Sequence, residues 1–125
     1  MLDVDHFKKI NETMGHLEGD RVLKKFGQLL KGFGRKTDLI SRFGGEKFLI
    51  MLPDTKKSDS LLLCRRLDKL IAEIKVGDSS LTVSIGMSTC DEPISFIDIF
   101  AQADNAVYKA KARGRNRTEV YLNNS

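Results

Sequence analysis

Leu39-Ile40-Ser41-Arg42-Phe43-Gly44-Gly45-Glu46-Lys47-Phe48-Leu49-Ile50-Met51-Leu52 is the stretch that decides how the chain folds. Two short apolar runs, Leu39 to Phe43 and Phe48 to Leu52, flank a Gly-Gly pair, and glycine tolerates the positive φ of a tight turn. The segment predicts a β-hairpin with Glu46 at its tip and Pro53-Asp54 closing its second strand. Helical spacing takes over on both sides. Upstream, a helix from Asp20 carries Val22, Leu23, Phe26, Leu29, Leu30 and Phe33 on one stripe and ends at Gly32 and Gly34. Before it, Met1 to Val4 reads as the end of a strand, and a first helix runs to Met14 and breaks over Gly15 to Gly19. Downstream, Ser58 is placed to cap a third helix with the stripe Leu63, Leu67, Leu70, Ile71 and Ile74. Leu81, Val83, Ile85 and Met87 alternate with Thr82, Ser84 and Gly86, which is strand spacing. Ser95 and Asp98 form a capping pattern for a last helix with Phe96, Ile99, Phe100, Ala103, Ala106, Val107 and Ala110 on its stripe. A short strand is expected from Thr118 to Tyr121. Helices that alternate with a hairpin and single strands predict an α+β sandwich, a mainly antiparallel central sheet flanked by helices.

Composition narrows the function classes. At 125 residues the chain has room for one hydrophobic core and not for two. With 41% hydrophobic and 30% charged residues it falls outside the disordered class. No apolar run has the length of a membrane span, and no signal peptide opens the sequence, so a cytoplasmic segment is expected, with no membrane contact of its own. Cys64 and Cys90 lack metal-ligand spacing and read as small buried thiols in a reducing compartment. The net charge of +4 gathers in Lys109-Ala110-Lys111-Ala112-Arg113-Gly114-Arg115-Asn116-Arg117. No aromatic platform interleaves those cations, so a compact phosphate ligand suits them and nucleic acid is not expected.

Three clusters can carry chemistry. Asp3 and Asp5 stand at a strand end, followed by Lys8 and Asn11; Glu46 stands at the hairpin tip; Lys111 and Arg115 close the last helix. Carboxylates at a strand end and a hairpin tip can share a hard cation, and Mg²⁺ takes few protein ligands because phosphates and water complete its shell. Two basic side chains near a helix C-terminus suit a polyphosphate and also suit the helix dipole. Singly, each cluster reads as surface charge.

Their order and spacing say more. Leu2-Asp3-Val4-Asp5-His6-Phe7-Lys8-Lys9-Ile10-Asn11 followed by Gly15-His16 and Gly19-Asp20 resembles the opening signature of GGDEF domains. Arg42-Phe43-Gly44-Gly45-Glu46-Lys47-Phe48 is similar to the motif that names that family, with Gly44 and Gly45 as the signature turn. Leu81 to Gly86, and Ala103-Asp104 through Tyr108, Ala110-Lys111 and Gly114-Arg115-Asn116-Arg117, resemble its closing motifs. The resemblance covers nearly the whole chain, in order. It implies a fold related to nucleotide-cyclase and polymerase palms, and a reaction in which two domains face each other and join two GTP into cyclic di-GMP. By that resemblance Asp3, the Val4 carbonyl and Glu46 hold Mg²⁺ or Mn²⁺. Asn11 and Asp20 read guanine, and Lys8, Lys111 and Arg115 grip phosphates. Arg35-Lys36-Thr37-Asp38 is similar to the family's inhibitory cyclic di-GMP site, with Arg66 where some members supply a second arginine. The plain reading of the same residues is a loop aspartate and a solvated arginine.

Two departures set the expectations. Lys47 stands where the family motif has a glutamate that helps to hold a second metal. Losing that attraction and gaining a repulsion amount to about 4 kcal/mol each at ~4 Å and an effective dielectric near 20. Lys47 can instead point to solvent or lay its ammonium on a phosphate. Family members also carry a helix and an Asp-x-Leu-Thr-Gly-Leu-x-Asn-Arg segment ahead of the Asp3 strand. Neither is present here, so residues 1–125 are expected to form one domain truncated at its N-terminal edge, with part of a sheet face left for a partner. A longer parent with an N-terminal sensory or regulatory domain, membrane-anchored or not, follows from the same resemblance. The leading expectation is a diguanylate-cyclase-family domain that binds GTP, cyclic di-GMP or both, with turnover weakened or lost through Lys47 and any catalysis needing a homodimer. The alternatives are an active cyclase that tolerates Lys47 and a scaffold that only dimerises.

Overall fold

Alternation along the short first strand, β1 (Leu2–Val4), sorts the molecule into two layers. Leu2 and Val4 point to one side of the sheet and meet Phe48, Val83, Ile85 and Met87 in the larger core. Met1 points to the other side, into a smaller core with Leu49, Ala103 and Val107. In the computed structural model, which describes residues 1–122, β1 is followed by α1 (Phe7–Met14), α2 (His16–Phe33), β2 (Leu39–Phe43), β3 (Lys47–Met51) and α3 (Lys57–Ile71). Then come β4 (Lys75–Val76), β5 (Ser79–Ser80), β6 (Val83–Met87), α4 (Phe96–Ala112) and β7 (Arg117–Val120). The main sheet has the order β2-β3-β1-β6-β7. Its first three pairings are antiparallel, and β6–β7, joined through α4, is parallel. The expected α+β architecture is present.

α2 and α3 bury their stripes on the Leu2/Val4 side. Val22, Phe26 and Leu30 are fully buried, as is Leu67 of α3. Each such side chain contributes about 1.5–3 kcal/mol relative to exposure. Phe26 meets Phe48 edge-on, with ring centroids 4.9 Å apart. On the opposite side α4 lies close to β6. A Cβ on Gly86 would stand 2.2 Å from the Ala103 carbonyl oxygen and 2.4 Å from the Val107 nitrogen, both backbone atoms. Neither can move without shifting α4. Gly86→Ala is therefore expected to cost about 3 kcal/mol of stability, read from the urea midpoint at an unchanged slope.

Cys64 is buried as expected, whereas Cys90, in the loop after β6, is exposed. Three local features of the elements also differ from the expectation. α2 begins at His16, not Asp20, because Gly15 alone, at φ 90°, makes the break from α1. α3 starts at Lys57 with no side-chain cap, so Ser58 does not cap it. A small hairpin, β4–β5, turns at Gly77. Its strands are two residues each, too short to show a period. The Ser95 cap is as read, with the Asp98 amide donating to Ser95 Oγ at 3.1 Å. On the α4 side, a groove of about 610 Å³ is lined by Leu49, Met51, Met87, Phe96 and Phe100 among others. None of the described helices is long and apolar enough to cross a membrane.

Candidate functional site

The registers of β2, β3, β1, β6 and β7 place one row of residues side by side across the sheet: Phe43, Lys47, Asp3, Ser84 and Arg117. Asp3 is at its centre. Its side chain is 1% exposed, and Oδ2 accepts from Lys111 Nζ of α4 at 2.6 Å. Oδ1 is buried and has no partner among the described residues. A buried carboxylate oxygen in a polar environment without a donor invites a cation. The hairpin tip lies alongside, because the Val4 amide donates to the Glu46 carbonyl at 3.1 Å. Arg42 braces that tip with two bonds to the Gly45 carbonyl, at 2.8 and 3.1 Å, and Gly44 supplies the positive φ of 62°. Glu46 is half-buried.

Asp5, two residues on, has a different environment. It is 4% exposed and accepts from Thr82 Oγ1 at 2.7 Å, Ser84 Oγ at 2.6 Å and the Asn116 amide at 3.0 Å. Three neutral donors close this carboxylate. It ties the turn after α4 to β1 and β6, and of the two aspartates only Asp3 remains open. That turn is tightly wound: Gly114, Arg115 and Asn116 all have positive φ, and the Arg115 amide returns to the Ala110 carbonyl at 2.9 Å. The Arg115 side chain is left exposed beside Lys111 on the chain. Thr82, Ser84 and Asn116 were not legible as site residues, since a polar residue alternating along a strand reads as solvent-facing.

The proposed base-reading pair lies on the two helices that follow β1. The Asn11 Oδ1 is buried without a partner among the described residues, against Gly19, where a Cβ would come within 1.9 Å of it. Only glycine leaves room for that carboxamide. Asp20 is exposed at the next position, at one end of a cleft of about 480 Å³ that Leu23, Lys24, Lys31, Arg42 and Phe48 also line. Lys8 is exposed and lies 3.9 Å from Glu12 on its own helix, a pair that leaves it free to move. Lys47 is partly exposed, with its Nζ 3.6 Å from Asp104 Oδ1 of α4.

Arg35 and Asp38 meet each other. Asp38 accepts from the Arg35 backbone amide at 2.9 Å and from its guanidinium at 3.0 to 3.3 Å, and Arg35 also reaches Thr55 Oγ1 at 2.6 Å. Arg66 stacks its guanidinium 5.0 Å from the centre of the Phe33 ring, two residues before Arg35. The guanidinium bonds hold the Asp38 carboxyl below the usual aspartate range. The folded state therefore binds fewer protons than the unfolded chain, whose aspartates titrate near 3.9. The stabilisation is complete above that value and is lost as pH falls through the lower folded one. Urea midpoints taken from about pH 6 to pH 2.5 should fall with acid, and less steeply in Asp38→Asn.

Comparison with known proteins places the chain in a family. The family described as "Diguanylate cyclase, GGDEF domain" matches residues 1–117. Diguanylate cyclase DgcP of Pseudomonas aeruginosa is 41% identical over 124 residues, 96% of this chain and 18% of that one. Diguanylate cyclase A of Treponema denticola is 36% identical over 129 residues, 99% of this chain and 35% of that one. The chain thus spans about a third or less of the length of these relatives. Among solved structures, the active GGEEF domain of a diguanylate cyclase from Vibrio cholerae superposes with a TM-score of 0.89 at 31% identity, covering 98% of this chain and 80% of that one. The GGDEF domain of DgcB from Caulobacter crescentus, in complex with c-di-GMP, gives 0.88 at 28% identity, covering 96% and 74%.

Proposed function

Because the chain belongs to the GGDEF family of diguanylate cyclases, we propose that it serves cyclic di-GMP signalling as a domain that binds GTP, cyclic di-GMP or both, with turnover weakened or lost through Lys47. The observation that carries this reading is Asp3, buried beside the hairpin tip with one oxygen on Lys111 and the other open. Asp3, the Val4 carbonyl and Glu46 would hold Mg²⁺ or Mn²⁺. Two carboxylates and a carbonyl fit an ion that leaves the rest of its shell to phosphates and water. When bound, the ion supplies positive charge to the phosphates.

The chain's own residues do the rest. Asn11 and Asp20 bind the guanine edge, and Lys111 and Arg115 offset the phosphate charge as Lys8 closes from α1. In turnover, the 3′-oxygen of one GTP bonds to the α-phosphorus of the other and its proton leaves. The bond from that phosphorus to the bridging oxygen breaks, and pyrophosphate departs. The same exchange at the second nucleotide closes the ring, so two copies must face each other. Calorimetry with GTP and ATP in Mg²⁺, and with cyclic di-GMP, tests the reading. GTP should bind and ATP should not, since a hydrogen-bonding pocket rejects a base that leaves its polar groups unpaired. Equal affinity for the two would overturn the guanine assignment. A second reading, an active cyclase that tolerates Lys47, is favoured by the contact of Lys47 with Asp104. A product assay on the same protein separates the two.

A further inference from the structure

Asp3 Oδ1 is a buried acceptor with no partner, yet the residue directly across from Asp3 on β3 is Lys47. Opposed residues of an antiparallel pair share a face, with Cβ atoms about 4.5–5.5 Å apart. A lysine side chain spans that distance easily. An ammonium free to choose would close on the buried oxygen, because an unsatisfied buried acceptor is costly. Lys47 instead lies against Asp104.

Asp104 and Lys111 are seven residues apart on α4, two helical turns, so both face the sheet along one stripe. The helix thereby sets a cation on the aspartate of β1 and an anion on the lysine of β3. The Lys47 and Asp104 side chains are 43% and 47% exposed. A pair so exposed adds little to stability. What the pair does determine is where the Lys47 ammonium goes.

We propose that Asp104 is a positioning residue that draws Lys47 away from Asp3 and so keeps Asp3 Oδ1 open to a divalent cation. This rests on the reading of Asp3 and Glu46 as a metal site, and adds to it how the site accommodates a lysine in its signature turn. Without Asp104, Lys47 turns to its cross-strand neighbour. Asp3 is then held by two ammonium groups, one on each oxygen.

Binding of Mn²⁺ alone, followed by loss of its free-ion EPR signal, tests this in the parent, Asp104→Asn, Asp104→Glu, Lys47→Gln and the double variant Asp104→Asn/Lys47→Gln. Asp104→Asn should weaken Mn²⁺ binding at least about tenfold, because the Lys47 ammonium then lies on the oxygen the cation would use. Asp104→Glu, which keeps the carboxylate, should bind as the parent does. The double variant should match Lys47→Gln, because with no ammonium to steer Asp104 has nothing left to do. A folded Asp104→Asn with parental affinity overturns the proposal. So does a double variant as weak as Asp104→Asn, which would make the role of Asp104 independent of Lys47. A crystal structure of Asp104→Asn gives a readout that needs no metal: Lys47 Nζ on Asp3 Oδ1 supports the proposal, and Lys47 in solvent overturns it. Absence of Mn²⁺ binding in the parent would instead overturn the metal reading, and the crystal would still decide whether Asp104 steers Lys47.

Discussion

Lys47→Glu is expected to raise cyclic di-GMP production from GTP by about a hundredfold or more in the full-length protein. Lys47 is the cross-strand neighbour of Asp3 and the chain neighbour of Glu46, so its charge acts directly on the carboxylates proposed to hold the catalytic cation. Replacing it removes a repulsion and adds an attraction, each about 4 kcal/mol at ~4 Å with an effective dielectric near 20. Against this stands the loss of a half-exposed pair with Asp104, worth about 1 kcal/mol at most. The introduced carboxylate also faces Asp104, and that surface repulsion is of similar small size. The gain at the site therefore exceeds the cost to the fold. Arg35→Ala in the same background removes the proposed inhibitory site, so that product binding there does not mask turnover. The measurement is pyrophosphate release with chromatographic quantitation of cyclic di-GMP. If the parent matches the variant, Lys47 is tolerated and the active-cyclase reading replaces the degenerate one. If both bind GTP and neither turns over, the defect lies in how two domains are brought face to face.

What was legible in the sequence was what depends on near neighbours along the chain. The hairpin from Leu39 to Leu52 and the stripe from Ala103 to Ala110 are local patterns, and both are present. The four motifs named the family because their spacing is long and ordered. The caging of Asp5 joins residues 77, 79 and 111 positions apart, and nothing in the alternation of Thr82 and Ser84 announces it. The Lys47–Asp104 pair depends on how α4 lies over β3, which follows from the close approach at Gly86. β4–β5 was missed because polar two-residue strands have no periodicity. α2 starts earlier than its sequence suggests, because a run from Gly15 to Gly19 reads as a loop. In the fold Gly19 is helical, and its lack of a side chain makes room for Asn11.

Arg35→Ala is expected to weaken cyclic di-GMP binding about a hundredfold, or ~2.7 kcal/mol, while leaving the fold intact. The two members of the Arg35–Asp38 pair are not equivalent. The Asp38 side chain is fully buried and also holds the Arg35 backbone amide, so it shapes the loop between α2 and β2. Arg35 is 52% exposed, with its guanidinium spread over Asp38, Thr55 Oγ1 and the Pro53 carbonyl. Nε and Nη2 are taken by these partners, so cyclic di-GMP would meet Nη1 and exchange for part of the Thr55 and Pro53 bonding. Guanine presents two adjacent acceptors, O6 and N7, that match a guanidinium in a bidentate bond. A lysine offers one point charge and cannot reproduce it, so Arg35→Lys should lose nearly as much as Arg35→Ala. Asp38→Asn should lose binding and also shift the thermal midpoint, because it loosens the loop that aims the fork. Arg66→Ala should have a smaller effect, since the Arg66 guanidinium is anchored on the Phe33 ring. Calorimetry with cyclic di-GMP, with thermal melts of each variant alongside, reads all four. Parental affinity in a folded Arg35→Ala would reduce the pair to a loop staple and overturn its reading as a cyclic di-GMP site.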